Sequence, residues 1–173
     1  MSLPDDIAKL EWIMFLDKKN FPQSLPHLIQ LKAAKSELDW FMMENIRKEI
    51  EQAFGIHDST LVSGFVKDIV TKSQRLNGTW YLAFQHTKVV GEVGLVPFPY
   101  REKIIGRIQD VDIVPSKQGK GLGKQLLLGL CNKAREMNLD GLCLFADANG
   151  WVKDWYLRFG FEKVGVTDRL KLC

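Results

Sequence analysis

The sequence predicts an α/β fold of the α+β kind, a mixed sheet with helices in the order β-α-α-β-β-β-α-β-α-β-β. Two observations carry this. Apolar residues recur at helical spacing over 36–54, 61–76 and 122–138, whereas 80–84, 89–96, 107–114 and 142–146 are short apolar runs rich in Val, Ile, Leu and aromatics, bounded by Gly, Pro or Asn. A chain of 173 residues, 46% hydrophobic and 26% charged, supports one domain with an appended arm and not two domains.

Residues 1–27 are expected to form an N-terminal helical extension, and 28–173 the domain proper. In the extension, Asp5 and Asp6 follow Pro4 as a first helical turn, Ile7, Leu10 and Met14 share a face, and the helix ends before Pro22. Residues 28–31 read as a strand. Ser36 and Asp39 then have the spacing of a capping box, and Leu38, Phe41, Met42, Ile46, Ile50 and Phe54 continue from it as a helical stripe. After a loop at 55–60, Leu61, Val62, Phe65, Val66, Ile69 and Val70 make a second one-sided helix that stops by Gly78. The period changes at Thr79. Segments 80–84 and 89–96 form a hairpin turning near His86 and Thr87, Pro97 and Pro99 end its second strand, and 107–114 adds a third. A helix from Leu122 carries Leu126, Leu127, Leu130, Cys131, Ala134 and Met137 on one face, and 142–146 is a buried strand. Trp151, Trp155, Tyr156 and Phe159 mark a short helix closed by Gly160, after which 161–166 and 170–172 supply the last strands.

Composition narrows the function classes. No apolar run approaches the ~20 residues that cross a bilayer, and Met1 to Asp6 carry two acids with no basic cluster, so neither a membrane span nor a secretory signal is expected. A cytoplasmic location follows as the default expectation. The net charge of +3 is spread without blocks, which gives no reason to expect nucleic acid as a partner. Cys131, Cys143 and Cys173 show no CxxC spacing and read as reduced, mainly core thiols. His27, His57 and His86 lie far apart without a ligand pattern, so no metal is expected.

The segment that carries chemistry is VDIVPSKQGKGLGKQ, Val111 to Gln125, which joins a strand to a helix through Gly119, Gly121 and Gly123 with Lys120 and Lys124 interleaved. Glycines let a backbone approach an anion, free amides at the helix start donate to it, and the helix dipole favours negative charge. Spacing excludes two nucleotide loops. A Walker A loop needs Gly at 118 and Ser or Thr at 125, where this chain has Gln118 and Gln125, and a dinucleotide fingerprint from Gly119 needs Gly where Lys124 stands.

The segment instead resembles the acyl-CoA loop of the GNAT superfamily of N-acyltransferases, in which a strand ending V-x-P is followed by Q/R-x-x-G-x-G/A. Ile113, Val114 and Pro115, then Gln118, Gly121 and Gly123, match every defined position. Downstream, Asn149, Tyr156, Gly160 and Phe161 resemble the family's N-x-x-A-x-x-x-Y-x-x-x-G-F, with Val152 in place of the Ala. The resemblance covers about 28–172 and leaves 1–27 outside it.

The resemblance implies a sheet splayed open between the 107–114 and 142–146 strands, with acetyl-CoA or another short acyl-CoA in the gap. It implies that the backbone of Ile113 and Val114 meets the pantetheine arm and the thioester carbonyl, and that amides from Gln118 through Gly119, Lys120, Gly121, Leu122 and Gly123 to Lys124 hold the pyrophosphate. Asn149 would meet the pantetheine, and Tyr156 would sit near the sulfur. An amine of pKa about 10.4 must lose a proton before attacking, and a departing thiolate gains from a donor. Tyr156 is therefore the expected general acid and Asp110 the expected base, through water, with Glu92 as rival and Asp112 as third candidate. The acceptor, an amine on a small molecule or protein, is placed between the first helices, the 55–60 loop and 97–103, with His57, Asp58, Trp80 and Tyr100 as candidates. For the N-terminal arm three roles stay open: capping the acceptor cleft, making a homodimer, or covering the sheet. A non-catalytic acyl-CoA sensor is the alternative to an N-acetyltransferase.

Overall fold

The computed structural model describes residues 9–23 and 28–169. Along the chain run β1 (Lys9–Asp17), β2 (Gln30–Ala33), α1 (Glu37–Ala53), α2 (Ser59–Arg75), β3 (Thr79–Gln85), β4 (Lys88–Tyr100), β5 (Lys103–Ile113), α3 (Leu122–Glu136), β6 (Gly141–Asp147), α4 (Val152–Phe159) and β7 (Glu162–Arg169). The strands form one mixed sheet in the order β2-β3-β4-β5-β6-β1-β7, in which only β5 and β6 are parallel. From β2 to β7 the element types follow the predicted order. The strand expected at 170–172 lies outside the described residues, as do Pro4, Asp5, Asp6, Ile7, His27 and Cys173.

The N-terminal helix is a misreading. Residues 9–17 form β1, which pairs antiparallel with β6 on one side and β7 on the other. In the apolar run Trp12 to Leu16, Met14 and Leu16 join the core, while Ile13 and Phe15 point to the opposite face and line a groove there. A helical face can be drawn through Leu10 and Met14 because a short continuous apolar run satisfies both periods. The arm thus fills the sheet position between β6 and β7.

The prolines do not end β4. Pro97 pairs with Gly106 and Pro99 with Ile104, so the strand continues to Tyr100. Its pairing with β3 stops at Leu95, and beyond that point the far edge of β4 has no strand neighbour among the described residues. Both prolines share strand parity, so both ring nitrogens face that open edge.

Helix α1 starts at the predicted capping box: the Asp39 amide donates to Ser36 Oγ at 3.2 Å, and the Ser36 amide donates to Asp39 Oδ2 at 2.9 Å. Lys32 Nζ, with the Ser36 and Lys35 amides, holds the buried Asp39 carboxyl well below the usual carboxylate range. Asp58 caps α2 through Thr60 and Leu61. Helices α1 and α2 cover β3 and β4 through Met43, Ile46, Ile50, Ile69, Trp80 and Leu82. Helices α3 and α4 cover the other face through Leu126, Leu127, Leu130, Leu142, Leu144 and Phe161. Each fully buried side chain of this size contributes about 1.5–3 kcal/mol, so the two clusters fix the sheet from both sides.

Candidate active site

Strands β5 and β6 pair only at Ile105↔Gly141, Gly106↔Leu142 and Arg107↔Cys143. Beyond Arg107 they part, β5 staying with β4 and β6 with β1. The Val114 amide donates to the Val90 carbonyl at 3.0 Å, so it is committed to β4. Because these directions alternate along a strand, the Ile113 amide and carbonyl point into the gap. The carbonyl accepts from Gln118 Nε2 at 2.9 Å, which ties the loop back to its strand. Of the two residues expected to meet the cofactor through their backbone, Ile113 is the one whose amide faces the gap.

The loop beyond the gap begins with a single 3-10 turn, Pro115–Lys117. Ser116 donates through its amide and hydroxyl to Glu49 Oε1, at 3.3 and 2.7 Å, anchoring the loop to α1. Gly119 and Gly121 have φ of +72° and +76°, and a Cβ at either would meet no atom within 4 Å. Gly121 caps α3 without any side-chain hydrogen bond, leaving the first amides of the helix directed at an open cradle. Such a cradle fits a pyrophosphate. Leu122 is buried beneath it, and Gly123 lies against Trp155, where a Cβ would approach the ring to 3.2 Å. Lys120 and Lys124 are exposed at its rim.

Tyr156 reaches the gap from α4. Its ring packs on Trp155 and Phe161, with centroids 4.9 and 5.5 Å away. Burial, reinforced by the charge of Asp112, pushes the phenol well above its ordinary value, so it keeps its proton throughout the neutral range. Asn149 sits in the exposed turn after β6, its amide donating to Asp147 Oδ1 at 2.9 Å.

On the α1 side of β5 lies a cluster of charge. Glu92 pairs with Asp112, but Gly94 pairs with Gln109, so β5 carries one extra residue between them. Asp110 takes up that bulge with φ +49°, a conformation uncommon outside glycine. Arg47 of α1 reaches in from above. Its Nε meets Glu92 Oε1, its guanidinium donates to Glu51 at 3.0 Å, and it lies 3.3 Å from Asp112 and 3.7 Å from Asp110. Arg47 Nε and Glu92 Oε1 meet without hydrogen-bond alignment, and Glu92 accepts no hydrogen bond from the described residues.

One cation faces four acids. Glu92, with no exposed surface, is pushed up to about 8 by burial against the opposing pull of Arg47, with Asp112 and Asp110 adding to the rise. Burial also raises Asp112. Arg47 is pulled down by burial and held up more strongly by Glu92, Asp112 and Asp110, so it stays charged.

The structure brings Asp110, Asp112 and Glu92 together around Arg47, with Tyr156 close enough to feel Asp112. Among the acceptor candidates, Trp80 is fully buried and Asp58 is spent on the α2 cap; His57 is exposed in the connection before α2. Tyr100 lines a groove of about 1030 Å³ on the sheet face that α1 and α2 leave open, together with Phe98, Ile13, Phe15 and Phe145. The groove includes Arg107 and Cys143, the last paired register before the gap. Burial pushes the Cys131 and Cys143 thiols up to about 12 and about 11, which removes them as nucleophiles.

Sequence reasoning missed Arg47. The signal was there: it stands in the buried stripe of α1 one turn after Met43, and a lone charge on such a face needs partners.

Comparison with known proteins bears on this geometry. The family model described as "Acetyltransferase (GNAT) domain" matches residues 76–163, which include β3 to β6, the glycine loop and α4. Comparison with curated proteins finds no match. Among solved structures, a functionally unknown conserved protein from Staphylococcus epidermidis superposes with TM-score 0.67 at 16% identity, over 91% of this chain and 59% of that one. This chain therefore spans less than two thirds of that protein. A predicted acetyltransferase from Clostridium acetobutylicum, solved with acetyl-CoA, gives TM-score 0.58 at 19% identity over 84% of this chain and 96% of its own. A Trypanosoma brucei acetyltransferase gives 0.62 at 21% over 83% and 99%. At these identities the likeness is one of fold. No helix among the described residues is long and apolar enough to cross a membrane.

Proposed function

The chain belongs to the GNAT acetyltransferase family, and from that premise we propose that it is an N-acetyltransferase moving an acetyl group from acetyl-CoA to a primary amine in a ternary complex. The observation that carries this reading is the gap between β5 and β6, which opens after three paired registers directly beside the glycine loop.

The chain's residues fit the cofactor. The open cradle over Gly119 and Gly121, with the free amides at the start of α3, would take the pyrophosphate, and the Ile113 amide would take the pantetheine arm or the thioester oxygen. Asn149, in the turn after β6, would meet the pantetheine. When bound, acetyl-CoA supplies an activated acetyl group whose C–S bond is exchanged for a C–N bond. Asp110, half-buried at the bulge, takes the proton the amine gives up, through water. Tyr156, held protonated, donates from its hydroxyl to the departing sulfur. Glu92 is sealed from the acceptor, so it acts as a positioning residue that orients Arg47 over the carboxylates.

Release of free thiol from acetyl-CoA over a panel of primary amines tests the proposal. Amine-dependent release supports it. Cofactor binding with no release over the whole panel would leave a non-catalytic acyl-CoA sensor as the better reading.

A further inference from the structure

We propose that the acceptor is an amine with an aromatic or apolar body and an anionic group, and that Arg107 reads that anion; this rests on the acetyltransferase reading above. Three observations on the open face of the sheet converge on it.

The first is continuity. Arg107 and Cys143 line the groove and form the last β5–β6 pair, so the groove ends where the gap begins. The second is apolar lining with the size for a small molecule. Ile13, Phe15, Phe98, Ile105 and Phe145 form the floor, around about 1030 Å³. Pockets of roughly 300–1,000 Å³ hold drug-sized ligands. The floor includes two residues of β1, so the N-terminal arm helps to build the groove.

The third is charge. Arg101, Lys103 and Arg107 line the groove against one acid, Glu102, an excess of two positive charges. The Arg107 guanidinium lies 4.7 Å over the Phe145 ring, and no carboxylate among the described residues pairs with it. Further along the same strand stand Asp110 and Asp112. An acceptor therefore meets an acidic pole at the gap, suited to its amine, and a cationic apolar groove behind it. A polycation fits the first and is repelled by the second. An amine joined to an apolar body and a carboxylate fits both, because a guanidinium fork matches a carboxylate and stacking on a ring holds that fork in place.

Calorimetric titration of the CoA-saturated protein with 4-(aminomethyl)benzoate, benzylamine and spermidine tests this apart from turnover. The first two differ only in the carboxylate. We expect 4-(aminomethyl)benzoate to bind at least ~10-fold tighter than benzylamine, spermidine to bind weakest, and Arg107→Gln to erase the difference between the first two. The exposed position of Arg107 keeps the variant's unfolding temperature near that of the wild type. Equal binding of the two aromatic amines, tighter binding of spermidine, no binding of any probe, or a preference that survives Arg107→Gln overturns the assignment. The two readings fail separately. Arg107-dependent binding without thiol release overturns acetyl transfer alone, and thiol release from amines without carboxylate preference overturns the acceptor class alone.

Discussion

The indole Nε1 of Trp80 on β3 donates to Asp110 Oδ2 on β5 at 3.0 Å, across the intervening strand β4. Trp80 is fully buried, and its ring lies directly on Gly94, where no Cβ would fit. The bulge at Asp110 supplies the other half of the geometry by turning this carboxylate toward α1. A tryptophan, a glycine and a strained aspartate on three strands thereby hold the proposed base in one orientation.

Removing Arg47 leaves Glu92, Asp110 and Asp112 facing one another without a cation. Arg47→Ala is expected to destabilise the fold by about 1–3 kcal/mol, because the buried Glu92 carboxyl loses its facing donor and the half-buried Asp110 and Asp112 lose their cation. Denaturant unfolding measures it, and a loss below about 0.5 kcal/mol would contradict a structural role for Arg47.

Glu92 keeps its proton in the folded chain up to about pH 8, whereas in the unfolded chain it loses it near ~4.3. The folded state binds more protons between those values, so this contribution to stability is complete below about pH 4 and is lost as the pH rises through about 8. Glu92→Gln removes the titration. Thermal unfolding from about pH 5 to about 9 should move steadily in the variant's favour relative to the wild type; a constant difference contradicts a protonated Glu92.

How much of this was legible in the sequence depends on the range of the interaction involved. The capping box at Ser36, the helix from Leu122 and the cradle at Gly119 and Gly121 are set by neighbours within a few residues, so spacing alone finds them. Tyr156 and Asp110 emerge through family resemblance; in the structure Asp110 joins the Arg47 cluster, and Tyr156 lies near enough to Asp112 to feel its charge. The N-terminal strand was missed because its pairing lies with β6 and β7 at the other end of the chain, and no local period records which partners will saturate its edges. The continuation of β4 through Pro97 and Pro99 was missed for the same reason: a proline's cost depends on whether that edge has a neighbour. Arg47 and Glu92 are single charges in apolar stripes, visible as anomalies but not as a pair.

Tyr156→Phe deletes the proposed acid and leaves the ring packing on Trp155 and Phe161 intact. Turnover is expected to fall ~10²-fold or more, with the KM for acetyl-CoA unchanged. Steady-state thiol release decides it, and full turnover removes Tyr156 from the proton path.

Gly121 caps α3 in the left-handed region, φ +76°. Gly121→Ala forces a Cβ into that conformation at roughly 1–2 kcal/mol. Because the surroundings are open, the strain should be relieved by reshaping the loop, and acetyl-CoA affinity should fall about 5- to 30-fold. Calorimetry measures it; unchanged affinity contradicts a phosphate role for this turn.

The most direct test of the central claim, that the gap and its glycine loop hold acyl-CoA, is thermal unfolding with acetyl-CoA against ATP and NADH at equal concentration. A ligand at ~100 times its Kd adds about 2.7 kcal/mol, and each kcal/mol moves Tm by about 2–4 °C in a chain of this size. A rise of several degrees is expected with acetyl-CoA and none with ATP or NADH. A rise with ATP or NADH and none with acetyl-CoA would contradict it and return the loop to nucleotide binding.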